Sequence, residues 1–321
     1  MIPSPIPSPR AWLLPLVLGF SLGFASCNPA EPEPGASDLP KIVSTNTILA
    51  DLTEQVGGDA INHQGLLEAG VDPHVYEPVP ADSIALEQAA LIFYNGYNLE
   101  PALERLIQAA GSQARSAAIA EQVEPLELEQ EGEQVPDPHV WGDVRNVMVM
   151  VAAIRDELSE LQPEQAATFA ANASALINAL EQLDAWIRAQ IATIPASQRY
   201  LITTHDAFQY YAAAYGLTVP GTLIGISTEE QPSAQTVSQL VEEIVRARVP
   251  AIFAETTLNP ALIRTVAAEA GVELAPQELY SDSLGAPGQG GDTYIRMIVA
   301  NTRAIVAALG GEDRAFPGLD N

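Results

Sequence analysis

The stretch PEQAATFAANASALINALEQLDAWIRAQIATI, Pro163 to Ile194, carries the strongest periodic signal in the chain. Phe169, Ala173, Leu176, Leu180, Leu183, Ile187, Ile191 and Ile194 recur at steps of three and four, which places them on one face of an α-helix. Pro163 suits a first helical position, and Pro195 ends the run. A helix over residues 163–194 has about eight turns and a length on the order of 45 Å. It is long enough to cross a whole domain and lies near the middle of the 321 residues, so it reads as a helix joining two lobes across their backs. An ordinary packed helix or a coiled-coil segment would show the same stripe.

Working outward, both flanks alternate short apolar runs with helical patterns. On the N-terminal side, Lys41 to Ser44 is strand-like and feeds a helical stretch from Ile48 to Val56 that Gly57 and Gly58 stop. Leu91 to Tyr94 is a second strand, followed by the turn residues Asn95 and Gly96. On the C-terminal side, Tyr200 to Thr203, Gly221 to Ile226 and Ala251 to Ala254 are strand candidates, each with a helical stretch behind it. This alternation predicts an α/β fold of two parallel-sheet lobes, residues 41–162 and 195–310, joined by the long helix, with 311–321 as a tail.

The N-terminus has a different character. Arg10 precedes an apolar stretch, Ala11 to Phe24, and the small residues Ala25 and Ser26 stand directly before Cys27, the single cysteine. The apolar run is too short to span a bilayer and reads as a secretory signal. Because it ends on cysteine, residues 1–26 resemble a bacterial lipoprotein signal peptide, which implies cleavage before Cys27 and a lipid on its sulfur. Residues 27–40 follow as a disordered tether rich in Pro, Ala and acid. One cysteine excludes an internal disulfide and a thiolate metal knuckle. With 41 acidic against 14 basic side chains and a net charge of -27, the surface repels phosphates, so nucleic acid is not an expected partner. Such a surface favours cations.

The four histidines carry the functional argument. Two occupy an identical tetrapeptide, Asp72-Pro73-His74-Val75 and Asp137-Pro138-His139-Val140. His205 follows the strand candidate Tyr200 to Thr203, where loops of parallel α/β sheets converge on ligands. His63 has no such context and reads as a surface or satisfied core residue. Three neutral imidazoles suit zinc, copper, iron or nickel, and the fourth position decides between binding and chemistry. Asp282, before the glycine-rich stretch Gly285 to Gly291, is the candidate fourth ligand. Asp72, Asp137 and Asp206 either orient loops and imidazoles or are solvated turn formers.

Seven segments in order extend this pattern: GVDPHVYEPVPAD (70–82), YNGYNLE (94–100), DPHVWGD (137–143), TTHDAFQYYAAAYGL (203–217), GISTEEQPS (225–233), IFAETTLNP (252–260) and YSDSLGAPGQGGDTY (280–294). With them the chain, from about residue 40 to 310, resembles the metal-binding family of ABC-transporter solute-binding proteins, which capture zinc or manganese. The resemblance implies metal ligands at His74, His139, His205 and Asp282, two from each lobe. Glu255 matches a family glutamate near the site, read as supporting the ligands from behind. The implied partners are a membrane permease and its cytoplasmic ATPase, and the implied location is periplasmic or cell-surface, lipid-anchored. A monomer is expected.

Three nitrogens and a carboxylate favour Zn2+ over Mn2+, with Mn2+ close behind, because affinity for such a set rises toward zinc. Against zinc, the acidic segment Glu121 to Asp137 holds no histidine, unlike the histidine-rich loop of many zinc members. A long rigid helix between the lobes should permit only small rearrangements on loading. The alternative from another class is a metallohydrolase or lyase with a three-histidine metal and Glu255 as base, although Asp282 would fill the position a catalytic metal keeps open. Some family members are named as adhesins, but no adhesive feature stands out in the sequence.

Overall fold

The computed structural model describes residues 1, 3–4, 39–110, 115–130 and 132–319. Cys27, most of the tether and the signal segment beyond residue 4 lie outside these described residues.

Strands β1 (Lys41–Ser44), β2 (Asn62–Gly65), β3 (Leu91–Tyr94) and β4 (Arg115–Ala118) form one parallel sheet in the order β2-β1-β3-β4. Helices α1 (Thr47–Gly57), α2 (Pro80–Gln88) and α3 (Pro101–Ala110) connect them. Alternation along the central strands sends neighbouring side chains to opposite faces. Ile42, Leu91 and Phe93 enter the main core with α1, whereas Val43 and Ile92 pack with Leu86 and Ile107 of α2 and α3. Both faces are covered, so the central residues of β1, Ile42 and Val43, and the run Leu91 to Phe93 of β3 are apolar without alternation. The side chain of Asn46 caps α1 by accepting from Leu49 N–H, and Gly58 ends it at a positive φ of 51° that costs little only for glycine. A hairpin of β5 (Glu127–Gln130) and β6 (Glu133–Pro136) then leads to α4 (Val144–Leu161).

The long helix, α5, spans Ala166–Ile191, with Pro163–Gln165 forming a 3-10 turn ahead of it. Its 26 residues make it about 39 Å long. All eight residues of the periodic stripe are buried. They face α4, α1 and α9 (Tyr294–Ala308), so one apolar core runs along α5 and takes side chains from both halves of the chain. After α9 the chain turns back onto α5: Arg314 N–H donates to Gln190 Oε1, Trp186 Nε1 donates to the Arg314 carbonyl, and Phe316 packs on the Trp186 ring at 5.4 Å. Leu180 lies at the middle of the stripe and is fully buried. Leu180→Ala is expected to cost about 2–5 kcal/mol of stability, read from urea unfolding midpoints. A loss below about 1 kcal/mol would show that the shared core is not the main support of the fold.

In the second half, α6 (Gln209–Tyr215), α7 (Ala234–Ala247), β7 (Ala251–Ile252), α8 (Ala261–Ala270) and β8 (Glu273–Leu274) surround a more broken sheet. Only β7 and β8 pair as regular strands. Tyr200–Thr218, His205–Ile224 and Glu255–Leu279 are single parallel bridges, with Phe253 N–H bonded to the Ile202 carbonyl between them. The segments expected as strands at 200–203 and 221–226 are therefore extended but not laddered. One cause is local: the backbone N–H groups of Thr204 and His205, at the end of the first segment, both donate to the Glu255 side chain and so are not available to a ladder. Leu201 and Phe253 face the shared core, while Ile202, Ile252 and Ala254 face a second cluster beneath α7 and α8. Among the described residues no helix is long and apolar enough to cross a membrane.

Candidate metal centre

The two Asp-Pro-His-Val segments begin alike. In each, the aspartate side chain two residues before the histidine accepts its backbone N–H: Asp72 Oδ1 from His74 and Asp137 Oδ1 from His139, both at 3.0 Å. This turn, with proline fixing φ between the two residues, presents the imidazole at a set angle. The second interactions differ. Asp137 Oδ1 also meets His139 Nδ1 at 2.7 Å, whereas Asp72 Oδ2 accepts from Thr228 Oγ1 at 2.7 Å. His139 is further fixed because Asn95 Nδ2, at the carboxyl end of β3, donates to the Pro138 carbonyl, and Trp141 stacks edge-on at 5.4 Å.

His205 lies at the break in the second sheet. Glu255 Oε1 accepts the backbone N–H groups of Thr204 and His205 at 2.7 and 2.9 Å, and Oε2 meets His205 Nδ1 at 2.5 Å. Asp282 follows the Glu255–Leu279 bridge. Its neighbour Ser281 gives a carbonyl to Trp141 Nε1 at 3.0 Å.

The structure brings His74, His139, His205 and Asp282 together: one donor atom from each lies within 4.8 Å of all the others. His74 is 3 % exposed, Asp282 1 %, and the other two are fully buried. His74 Nε2 lies 3.2 Å from His139 Nε2, and Asp282 is 3.4 Å from His139 Nε2 through Oδ1 and 3.2 Å from His205 Nε2 through Oδ2. A tetrahedron of zinc–ligand bonds has edges of about 3.3 Å, so these spacings suit one shared cation. His205 Nε2 and Asp282 Oδ1 are at ion-pair distances yet make no hydrogen bond, an expensive state for buried polar atoms unless something else binds them. Glu255 is outside this group, behind His205, with both oxygens engaged. Asp206 is bonded to Gln209 Nε2, and His63 is bonded to Glu54 on α1 and Ser44 on β1.

Electrostatics sort the three imidazoles. Burial pushes His74 down to about 3, helped by the neighbouring His139 and His205 and opposed by Asp282. Burial also opposes charge on His139, but Asp137 and Asp282 together lift it to about 9. His205 is raised well above the usual imidazole value, against its burial, by Asp282 and Glu255. Asp282 is held well below the usual carboxylate range despite complete burial, chiefly by His205 and His139. Without a cation, two protons therefore supply the positive charge that the carboxylates require.

Asn95, Thr228 and Ser283 are the polar residues around the centre that sequence reasoning did not single out. They sit in segments 94–100, 225–233 and 280–294, but nothing in their type or spacing shows what they touch. Comparison with known proteins gives this geometry a setting. The family ZnuA, zinc-uptake complex component A periplasmic, matches residues 42–308. The manganese-binding lipoprotein MntA of Halalkalibacterium halodurans is 35% identical over 269 residues, covering 84% of this chain and 88% of that protein. The metal ABC transporter substrate-binding lipoprotein ScbA of Streptococcus cristatus is 32% identical over 308 residues, covering 93% and 98%. The solved structure of the periplasmic zinc-binding protein TroA from Treponema pallidum superposes with a TM-score of 0.80 at 32% identity, over 84% of this chain and 99% of that one. A match over the folded region from β1 to α9, joined to relatives nearly as long as themselves along the alignment, means that this chain belongs to the periplasmic metal-uptake family of ABC-transporter binding proteins.

Proposed function

We propose that this chain captures a divalent transition metal at His74, His139, His205 and Asp282 and delivers it to a membrane permease driven by a cytoplasmic ATPase. The observation that carries this reading is the convergence of four buried donors within 4.8 Å of one another, with three contacts among them at 3.2 to 3.4 Å. Two lobes, residues 41–162 and 195–310, each supply two ligands, and the helix over 163–194 holds them at a fixed distance. Cys27 carries the lipid that keeps the protein, a monomer, at the periplasmic or cell-surface side of its membrane. Hydrolysis by a metal-bound water has less support: Glu255 has no free oxygen to act as base, and Asp282 occupies the fourth position.

Zn2+ is the preferred cargo and Mn2+ the second. Imidazole nitrogens and four-coordinate spacing favour zinc, and the affinity order for divalent ions runs the same way. The names of the relatives include both metals. In competition titrations of demetallated protein, zinc is expected to displace bound manganese completely. Manganese that zinc cannot displace would reverse the order. Because one core spans both halves along α5, loading is expected to rearrange loops rather than swing lobes. Small-angle scattering curves of metal-free and loaded protein should nearly superpose, and a difference as large as a full domain closure would refute this.

A further inference from the structure

The loop that carries His74 is fastened from the opposite half of the molecule at two points. Ser283 Oγ accepts Gly70 N–H at 2.8 Å, and Thr228 Oγ1 donates to Asp72 Oδ2 at 2.7 Å. Both partners are buried, Ser283 at 1 % and Thr228 at 8 % exposure. Asp72 passes the second contact on, because its other oxygen accepts His74 N–H. Each fastening also leads to one of the distant ligands. Ser283 follows Asp282 in sequence, its Oγ lies 3.3 Å from Thr47 Oγ1 on α1, and the same Thr47 oxygen accepts Leu284 N–H at 2.9 Å. Thr228 lies just beyond the segment joined to the His205 region by the His205–Ile224 bridge and by Asp206 N–H on the Gly225 carbonyl.

His74 also differs from its twin. The carboxylate that fixes the His139 ring through Nδ1 is turned, in the His74 loop, toward Thr228. The orientation of His74 therefore depends on a hydroxyl from the other half of the chain. His74 is the ligand that lines a cavity of about 420 Å3, bordered by Tyr97, Glu104, Ser227 and the exposed Asn98 and Glu121. Of the four candidate ligands His74 alone borders this cavity, and the next residue, Val75, is 47 % exposed.

We propose that Thr228 and Ser283 are positioning residues that set the residence time of the metal by holding the His74 loop across the cleft. This inference rests on the metal-capture reading of the centre. Neither residue touches the metal. Both bonds must break before His74 can swing away and open the route to the cavity, so their loss speeds release more than it slows capture. Supporting groups around metal ligands contribute roughly 10- to 100-fold to affinity.

The test measures zinc release from the full-length protein into excess chelator by stopped flow, alongside the association rate and the melting temperature of the metal-free form. Thr228→Val, which keeps shape and removes the hydroxyl, should release zinc about 10-fold faster, with association changed less than about twofold. Thr228→Ser should restore near-normal release. Ser283→Ala should also accelerate release, which keeps the proposal testable if the valine variant folds poorly. Release from Thr228→Val and Ser283→Ala within twofold of the unaltered protein would overturn the proposal, as would Thr228→Ser releasing as fast as the valine variant. Unaltered protein that takes up no zinc would instead overturn the metal-capture reading and this inference with it.

Discussion

Asp282→Asn is expected to weaken zinc binding by about two to three and a half orders of magnitude while leaving the fold intact. Asp282 is the one carboxylate among the four converging donors, and it is 1 % exposed. An amide of the same shape keeps an oxygen in place, so no cavity opens, but it removes the negative charge that faces the incoming cation in a site closed to water. Taking away one partner of a buried charge arrangement costs about 3–5 kcal/mol. Every 1.4 kcal/mol is about a factor of ten in affinity. The metal-free protein should respond differently. Asp282 helps hold His205 and His139 in their charged forms, so the asparagine variant sheds protons more readily and relieves its own loss of charge pairing. The measurement is a zinc titration paired with thermal melts, because a ligand that binds only the folded state raises its melting temperature with the logarithm of its concentration over Kd. An affinity within tenfold of the unaltered protein would remove Asp282 from the ligand set. It would also revive the hydrolase reading, in which the fourth position is free.

The legible parts of this molecule are those in which one physical rule acts along consecutive residues. The α5 stripe, from Phe169 to Ile191, could be read because a helix buried on one side leaves a period that nothing else produces. Its ends were less visible: Pro163–Gln165 forms a separate 3-10 turn, and the α-helix stops at Ile191 rather than Ile194. The histidines stood out because they are rare and two share a tetrapeptide. What the repeat conceals is that Asp137 grips its own histidine ring while Asp72 reaches to Thr228, 156 residues away. A polar contact between segments so distant leaves no periodic trace. The second sheet was over-read for a related reason. Tyr200 to Thr203 has strand-like composition, but the next two backbone N–H groups, of Thr204 and His205, go to the Glu255 side chain and the ladder stops at single bridges. Phe316 gave no warning either, since a lone aromatic in a tail has no pattern by which its packing on Trp186 could be foreseen.

Zinc affinity is expected to rise steeply with pH from about pH 6 to 9, by more than tenfold between pH 6 and 8. The sign follows from where the protons sit. A metal ligand must present a lone pair, yet in the metal-free centre His139 titrates at about 9 and His205 well above the ordinary imidazole value. Both are charged near neutrality and must each lose a proton to bind. His74, pushed down to about 3, is already neutral, and Asp282 is already ionised, so neither adds to the count. An unperturbed imidazole, near 6.5, would give a dependence that fades above pH 7, whereas this one should persist to about pH 9. Calorimetric titrations in buffers of different protonation enthalpy count the protons directly. Net release of protons on zinc binding at pH 7 is the expected result, and no release would overturn it.

The same shifts give the metal-free protein an opposite trend. A histidine whose pKa rises on folding contributes stability that is full below its unfolded value and is lost as pH climbs through the folded one. The melting temperature of the metal-free form should therefore fall from about pH 7 to 9.5, while the gap between it and the zinc-loaded form widens. Lowering the pH from about 9.5 to 7 thus stabilises the empty protein and weakens its hold on the metal, because protons on His139 and His205 take over the charge balance that a bound cation would provide.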